Sequence, residues 1–316
     1  MIERRTATTE AYTPIAIVGA NIISYNDSGL VDGQIYCYRV FAFNTAGNSP
    51  YSNEACAPAR PDPSGGLLAA VLPSSRSVQV GVSATTFATI INRGSITATD
   101  CGITLLSNIP AISFFEITDP LTNQLTGFLN TPVDIPAGGA QSFFLRLTPT
   151  QAFVPTDVQL NFDCTNTDSA PIASGLNTLL LSASTTPVPD ILALAATSTS
   201  DGIVNIPEAI GAGAFSVATM NLGASGNITV SADTGNAILP LNVFLCETDP
   251  GNGQCISALS ANVTTQINAN ATPTFAVFAF ARGHVSFAPA AARIFVRFKD
   301  SEAIIRGLTS VAVRTQ

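Results

Sequence analysis

Two long segments of this 316-residue chain, residues 67–184 and 190–316, match each other block by block. The clearest match joins Phe114–Pro120 to Phe244–Pro250, and the offset between matching blocks stays between 128 and 134 residues. The other blocks are Phe87–Gly94, Gln124, Ser142–Leu147, Phe153–Pro155 and Gly175–Leu181, which match Phe215–Gly223, Gln254, Thr274–Ala279, Phe287–Pro289 and Gly307–Val313 in the same order. The conserved order and offset indicate a tandem duplication of one domain.

Each copy is predicted to be a β-sandwich. The predicted strands in the first copy are rich in β-branched and aromatic residues, and they are Thr86–Ile91, Cys101–Leu105, Phe143–Leu147, Val158–Phe162 and Leu176–Leu181. Hydrophobic residues make up 46% of the chain, and only 11% is charged, which suits sandwiches with buried inner faces. No window of 12 or more residues shows a helical period, and Ile206–Ala212 is at most one turn of helix.

Two motifs connect the copies to a known family. Phe87–Gly94 and Ile135–Phe143 resemble the strand-to-turn signatures of bacterial immunoglobulin-like surface domains. The resemblance implies an all-β, immunoglobulin-like sandwich for each copy and a place on a bacterial surface or in a secreted protein.

The first 60 residues resemble a different family. Their predicted strands are Tyr12–Val18, Ile22–Tyr25, Gln34–Asn44 and Ser52–Cys56. The motifs Ile2–Arg5, Asp27–Leu30, Gly33, Tyr36–Val40, Ala42–Asn44 and Ala46–Ser49 are similar to the second half of a fibronectin type III domain. This resemblance implies a tyrosine corner formed by Leu30 and Tyr36.

The first strands of such a domain, with their buried Trp, have no counterpart in this sequence, so we expect the N-terminal sandwich to be incomplete. Met1 is followed by Ile-Glu-Arg-Arg and not by an export signal. We therefore expect a chain truncated at its N-terminus. The alternative is that a strand from another chain completes residues 1–57.

Two Pro-rich segments divide the chain. Arg60–Gly66 is a Pro/Gly linker, and Ser184–Asp190 is predicted to be an extended, semi-rigid connection. The predicted domains are therefore a partial fibronectin type III-like domain at 1–60, a first sandwich at 67–184 and a second at 190–316.

Six cysteines allow 15 pairings, and one pair falls within each predicted domain. Cys37 and Cys56 are symmetric about a hairpin tip at Ala46–Gly47, and Cys246 and Cys255 about Pro250–Gly251. We predict these two bridges and Cys101–Cys164 between them. Even pairing in such a chain favours an oxidising, extracytoplasmic setting over free thiols in the cytosol.

The aligned copies do not share their cysteines. Cys101 and Cys164 align with Val230 and Phe298, whereas Cys246 and Cys255 align with Glu116 and Leu125. Each copy is thus expected to carry a structural staple of its own.

Catalytic patterns are lacking. His284 is the single histidine, and we expect it to lie exposed in a turn. Asp119 and Asp249 occupy one repeated position and are predicted to initiate turns, because an Asp side chain accepts hydrogen bonds from nearby backbone. The loop Asp249–Gly253 supplies too few oxygens for calcium. We therefore predict no enzyme, no metal and no cofactor.

Charge and aromatic content exclude further partners. The net charge is −8 with one lysine, Lys299, which argues against nucleic acid. No apolar run approaches the 20 or so residues that span a bilayer. All five tyrosines precede residue 52, so the copies lack the rings on which sugars commonly stack.

Together these features predict a non-enzymatic extracellular module of a bacterial surface or secreted protein. It would act as a stalk, a spacer or an adhesive part, with protein partners or self-association. One alternative is an accessory region of a larger secreted enzyme. The other is a self-assembling filament subunit completed by strand exchange.

Overall fold

The chain folds entirely into β-structure in the computed structural model, which describes residues 1–9, 11–19, 25, 27, 30, 34–45, 47–58 and 66–316. No helix occurs in these ranges. The predicted all-β class, built from β-sandwiches, is confirmed, and the strands pair antiparallel except for one parallel pair in each repeat. Residues 22–24 of the predicted strand Ile22–Tyr25, the tip residue Ala46 and most of the linker Arg60–Gly66 lie outside the described residues.

The described residues of the N-terminal unit (residues 1–58) form one four-stranded sheet in the order β2-β1-β3-β6 and a small hairpin of β4 and β5. The strands are β1 (Ile2–Thr6), β2 (Thr13–Ala16), β3 (Ile35–Val40), β4 (Phe43–Asn44), β5 (Gly47–Asn48) and β6 (Ala55–Pro58). In β3 and β6, Cys37 lies opposite Cys56.

Repeat 1 (residues 67–184) forms two sheets, ordered β12-β10-β14-β15-β8 and β11-β13-β9-β7. Its strands are β7 (Leu67–Leu72), β8 (Ser75–Gln79), β9 (Ala84–Asn92), β10 (Ala98–Leu105), β11 (Ala111–Thr118), β12 (Val133–Ile135), β13 (Ala140–Pro149), β14 (Phe153–Asp163) and β15 (Thr178–Ser184).

Repeat 2 (residues 190–316) has the same topology, strand for strand, with sheets ordered β21-β19-β23-β24-β17 and β20-β22-β18-β16. Its strands are β16 (Ile191–Thr197), β17 (Ile203–Ile206), β18 (Ala212–Asn221), β19 (Gly226–Asp233), β20 (Leu241–Thr248), β21 (Asn262–Ile267), β22 (Thr274–Ala281), β23 (Arg293–Lys299) and β24 (Ile305–Thr315).

Each repeat has one apolar core between its sheets, because alternate residues along each strand point inward. In β22, Phe275, Val277 and Ala279 are fully buried while the residues between them face outward. The two cores are separate clusters, so each repeat holds its own hydrophobic centre.

The structure corrects one detail of the duplication. Phe87 and Phe215 were matched, but Phe87 faces outward and packs edge-on against Phe144, whereas Phe215 is buried in the core. Thr89 pairs with Ser142 and Ala218 with Thr274, so the residue equivalent to Phe215 is Thr86. A one-residue slip in aligning a strand exchanges its two faces.

Several predicted strand bounds also shift. The single predicted strand Gln34–Asn44 is interrupted, because the Phe41 amide donates to the Met1 carbonyl and the Ala42 carbonyl accepts from Ser49. The return strand predicted at Ser52–Cys56 begins only at Ala55. The strand predicted at Leu176–Leu181 begins at Thr178, after a turn in which Gly175 has a φ of +73°.

Candidate functional site: the joint between the two repeats

The two repeats meet through buried polar side chains and the backbone of one leucine, which we call the joint: Ser74, Ser75, Arg76, Ser77, Asp190, Arg306 and Leu308. Strand β8 lies at its centre. In a strand at the edge of a sandwich, alternate side chains normally face solvent, yet Ser75 to Val78 are all buried. One side of β8 packs on the core of repeat 1, and the serine side is covered by repeat 2.

A buried ion pair connects the two repeats at the joint. The Arg76 guanidinium binds the Asp190 carboxylate through Nη2 at 2.8 Å and Nε at 3.1 Å, and the side chains are only 6% and 5% exposed. The other Asp190 oxygen accepts the Ser77 backbone amide at 2.8 Å. The remaining guanidinium nitrogen donates to the Thr85 carbonyl at 2.6 Å. A buried charge pair needs such additional partners to offset its loss of water.

Asp190 is held in place by repeat 2. Its backbone amide donates to Oδ1 of Asn221 at 3.1 Å, and the buried Asn221 amide group in turn donates to the Ala224 carbonyl at 2.8 Å. Repeat 1 has the same buried asparagine, Asn92, which donates to the Ile96 carbonyl at 2.7 Å. These hydrogen bonds fix the backbone of Asp190, and therefore the position of its carboxylate.

The ion pair belongs to the joint and not to the sandwich itself. Leu67 pairs with Asn92 and Ile191 with Asn221, so the residue of repeat 1 that corresponds to Asp190 is Gly66. The pairing of β8 with β15 and that of β17 with β24 likewise place Arg76 at the position of Val204, a core residue of repeat 2. Both charges thus replace residues that carry none in the other copy.

Serine hydroxyls bind the first half of β24 across the joint. The Leu308 amide donates to Oγ of Ser75 at 2.6 Å, and Oγ of Ser74 donates to the Leu308 carbonyl at 3.1 Å. Arg306 Nη1 donates to Oγ of Ser77 at 3.0 Å, while its Nε binds Asp300 at 2.7 Å. These bonds fix the position of β24 along its own direction relative to β8.

A ring of repeat 2 also contacts a turn of repeat 1. A Cβ on Gly175 would lie 2.7 Å from Cε1 of Phe295, closer than van der Waals contact allows. Because Gly175 also has a positive φ, a side chain there would be both strained and blocked. This close approach adds shape complementarity to the polar contacts.

A cleft of about 610 Å³ opens beside the joint. The Phe153–Pro155 segment, the linker at 184–189 and the Asp300–Ile304 turn line it. Asp300 is already engaged, because it accepts from Arg306 and from the backbone amides of Glu302 and Ile304. Around this cleft, the described side chains include no nucleophile paired with a base.

The segment Ser184–Asp190 was predicted to be only an extended connection. Its last residue instead anchors the joint, which sequence reasoning missed because Arg76 and Asp190 are 114 residues apart. One signal was present in the aligned copies. An arginine in repeat 1 stands where the second copy has the core residue Val204, and such a charge needs a buried partner.

The structure joins the cysteines as Cys37–Cys56, Cys101–Cys164 and Cys246–Cys255. Cys101 and Cys164 are both buried, and at the equivalent place Val230 lies directly opposite the buried Phe298. Cys246 is buried but Cys255 is exposed, and Cys255 lies opposite Thr248 in the hairpin. The third bridge thus runs diagonally across its hairpin.

Of the predicted tyrosine corner, Tyr36 is buried and Leu30 is half-buried. The Arg4 guanidinium lies 5.2 Å from the centre of the Tyr36 ring. Most residues around Leu30 lie outside the described ranges, so the corner stays a prediction.

The N-terminal unit has an aromatic cluster that sequence reasoning did not predict. Arg39 is stacked between Tyr12 and Tyr51, with its guanidinium carbon 3.9 Å and 3.6 Å from the two ring centres, and it forms an ion pair with Glu3 at 2.7 Å. Arg5 and Tyr12 both bind Glu54, and the Arg5 hydrogen bond, followed by that from Tyr12, lowers the Glu54 pKa. Tyr12 directly precedes β2, so its contacts with Arg39 and Glu54 stabilise the position of β2 in the sheet.

The remaining candidate residues have structural surroundings. His284 is exposed, and its Nδ1 lies 3.0 Å from Oγ1 of Thr315. Asp119 accepts the Leu121 and Thr122 amides at 2.9 Å, and Asp249 accepts the Gly251 amide at 2.7 Å. Both aspartates therefore initiate turns through their side chains.

No family model and no curated protein matches the chain. Among solved structures, the N-terminal domain of PorA is 12% identical, covering 39% of this chain and 97% of that one, with a TM-score of 0.26. BcpA*(D312A), the major pilin subunit of Bacillus cereus, is 10% identical, covering 79% and 70%, with a TM-score of 0.27. A protein of unknown function from Porphyromonas gingivalis W83 is 13% identical, covering 78% and 99%, with a TM-score of 0.24. Similarities this low carry no argument about function.

Within the described residues, the chain has no helix with the length and hydrophobicity needed to cross a bilayer.

Proposed function

We propose that this chain is a non-enzymatic structural module of an extracellular or cell-surface protein, in which the two repeats act together as a rigid spacer. The buried Arg76–Asp190 pair carries the proposal. A flexible tether needs no such contact, and an ion pair removed from water is costly unless its geometry is held in place. A rigid joint of this kind keeps the two ends of the spacer in a fixed relative position and orientation.

Three bridged cysteine pairs support the extracellular part of the proposal. Disulfides persist in oxidising compartments and are rare in reducing ones, and no free cysteine remains in the described residues. The proposed domains keep the limits 1–60, 67–184 and 190–316, with fibronectin type III-like and immunoglobulin-like character. The shared topology of the repeats and the burial of Tyr36 support that assignment.

The surroundings of the polar side chains support a scaffold over a catalyst. The carboxylates that sequence reasoning considered, Asp119 and Asp249, accept backbone hydrogen bonds in turns. His284 lies within hydrogen-bond distance of a threonine. In the cleft beside the joint, the Asp300 carboxylate already accepts a hydrogen bond from an arginine of the same repeat.

Residual dipolar couplings of the full chain test the spacer. One alignment tensor should fit repeats 1 and 2 together in the wild type. The variant Arg76→Ala/Asp190→Ala should need two different tensors. As a control away from these contacts, Asp119→Ala removes a carboxylate from a turn of repeat 1 and should still need one. Two tensors in the wild type would contradict the proposal.

A second candidate is a filament subunit in which another chain completes the N-terminal unit. The observation that favours it is that the described residues of this unit form one four-stranded sheet and a short hairpin, without a second layer. Electron microscopy of the purified full chain tests it. Filaments support this candidate, and a stable monomer with residues 1–57 folded contradicts it.

A further inference from the structure

The two repeats differ at one edge of a sheet. In repeat 2, β21 pairs with β19 without interruption along Gly226–Ser231. In repeat 1, β12 is shorter and reaches β10 only at Ala98 and Cys101. The second half of β10, Gly102–Leu105, therefore has a neighbouring strand on one side only, which is β14. We call Gly102–Leu105 the open edge.

Backbone groups point outward from the open edge. The Leu106 amide donates to the Gln159 carbonyl at 3.0 Å, so the even-numbered residues at this end of β10 bond to β14. Ile103 and Leu105 therefore direct their amides and carbonyls away from β14. Within residues 66–316, all of which the structure describes, no other group of the protein pairs with them. Such an unpaired row of backbone groups is a template for an added strand.

The opening results from a shorter connection in repeat 1. Both repeats start this connection at a residue bound to the opposite sheet, Asn130 or Ser260. Both end it at a carbonyl that accepts from the buried asparagine, that of Ile135 or of Ile267. Between these points repeat 1 has two residues fewer than repeat 2. The shorter connection cannot follow β10 beyond Cys101.

A cleft of about 480 Å³ lies along the open edge. The Phe115 ring forms one wall, and its Cζ would lie 3.2 Å from a Cβ on Gly102. In repeat 2 the corresponding space is filled by β21, whose Val263 is buried in the core. The second copy thus shows what fits such a cleft, namely an extended segment with a β-branched side chain pointing inward.

The rim of the cleft is acidic. Asp100 and Asp163 line it, both are exposed, and no lysine or arginine is among the lining residues of this fully described repeat. Asp163 lies opposite Gly102 in the sheet and accepts from the Ser169 hydroxyl at 3.0 Å. Carboxylates without a cation at such a rim favour a partner that carries a basic residue.

We propose that the open edge of repeat 1 binds an extended segment of a partner protein, which adds to the sheet as a strand antiparallel to β10. A β-branched residue of that segment would point inward opposite Ile103. The residue after it would be basic and would lie on the outer side near Asp163. Main-chain hydrogen bonds to β10 would provide affinity, and these two side chains would provide selectivity.

Amide chemical shifts of the full chain, titrated with capped peptides, test this proposal. The probe has the sequence of residues 257–264 with Thr264→Lys, so it supplies both the valine and the basic residue. Saturable shifts should centre on Ile103 and Leu105, and these two amides should exchange more slowly with solvent. The same peptide with Val263→Asp should bind at least about tenfold more weakly, because it would place a charge in the core.

A graft that closes the open edge is the matched control. Counted from the shared ends of the connection, Thr131 and Pro132 stand where repeat 2 has Ala261–Thr264. Replacing these two residues by those four should give repeat 1 the longer edge strand, and the grafted chain should no longer bind the peptide. Asp163→Lys leaves the edge open, so it should weaken binding of the lysine peptide but not of the peptide that keeps Thr264.

A wild type without shifts at Ile103 and Leu105 at millimolar peptide overturns the proposal. So does a folded graft that binds as tightly as the wild type, or equal binding of the valine and aspartate peptides. Circular dichroism shows whether the graft is folded. If it is not, Asp163→Lys decides, and unchanged binding of the lysine peptide contradicts the proposal. The result does not depend on the spacer function, because β8 and the open edge lie at opposite sides of the sheet.

Discussion

At the scale of single residues, many polar side chains of this chain form hydrogen bonds that fix the position of the backbone. Asn92 and Asn221 each bind carbonyls at the same corner of the two sandwiches, and the alignment of the copies already placed these residues together. Arg76 and Asp190 were not predicted, because nothing local in the sequence connects two residues on different domains. Repeats show where residues correspond, but they do not show what packs against them.

The buried ion pair should dominate stability at this scale. Asp190→Asn leaves the Arg76 guanidinium buried without its counter-charge, and we expect a loss of roughly 3–5 kcal/mol. Asp233→Asn removes a partner of Arg297 whose side chain is 42% exposed, and we expect a loss of about 1 kcal/mol or less. Calorimetric unfolding of both variants measures the difference. Equal losses would show that the joint contributes no more than an ordinary surface contact.

The turn at Asp119 should make stability depend on pH. Hydrogen bonds from the Thr122 and Leu121 amides, followed by that from the Thr122 hydroxyl, hold the pKa of Asp119 below its usual value. A carboxyl whose pKa is lower in the folded state stabilises the fold above its unfolded pKa, and this contribution disappears as the pH falls through the folded value. Asp119→Ala should therefore lower the Tm more at neutral pH than at acidic pH.

Asp168 offers a control for that experiment, since it is exposed and its carboxylate accepts no hydrogen bond within the described part of the chain. Asp168→Ala should have little effect at either pH. A Tm difference for Asp119→Ala that is the same at both pH values would contradict the role of its charge.

At the scale of elements, the strands could be predicted well inside the repeats and less well at their ends. The β-rich segments of repeat 1 all became strands, because alternation on two packed sheets leaves few other arrangements. The bounds were wrong where backbone partners change, as at Phe41–Ala42 and before Thr178. The match of Phe87 to Phe215 was wrong by one residue, because two aromatic residues at neighbouring positions of equivalent strands look the same in sequence.

The three bridges should differ in how readily they are reduced in the folded protein. Cys101 and Cys164 are both buried, whereas Cys56 and Cys255 are exposed ends of the other two bridges. Thiol exchange requires access to a sulfur, so Cys37–Cys56 and Cys246–Cys255 should open first under mild reductant. Mass spectrometry after alkylation of the released thiols measures the order. Early loss of Cys101–Cys164 would be inconsistent with the burial of that pair.

At the scale of the whole molecule, the account depends on the relation between the repeats. The duplication and the low charge predict a scaffold, and the two copies share one strand topology. What the sequence could not show is whether the copies move independently. That depends on a handful of contacts between β8 and β24, made by serines and arginines that have no particular pattern along the chain.

Electron–electron double resonance between repeats 1 and 2 tests the rigid joint most directly. The spin labels would be carried on unnatural amino acids at the exposed positions Gln151 and Asn252, because the cysteines are bridged. The wild type should give one narrow distance distribution. Asp190→Ala should broaden it, and Asp233→Ala should not. A distribution in the wild type as broad as that of Asp190→Ala would contradict the rigid spacer.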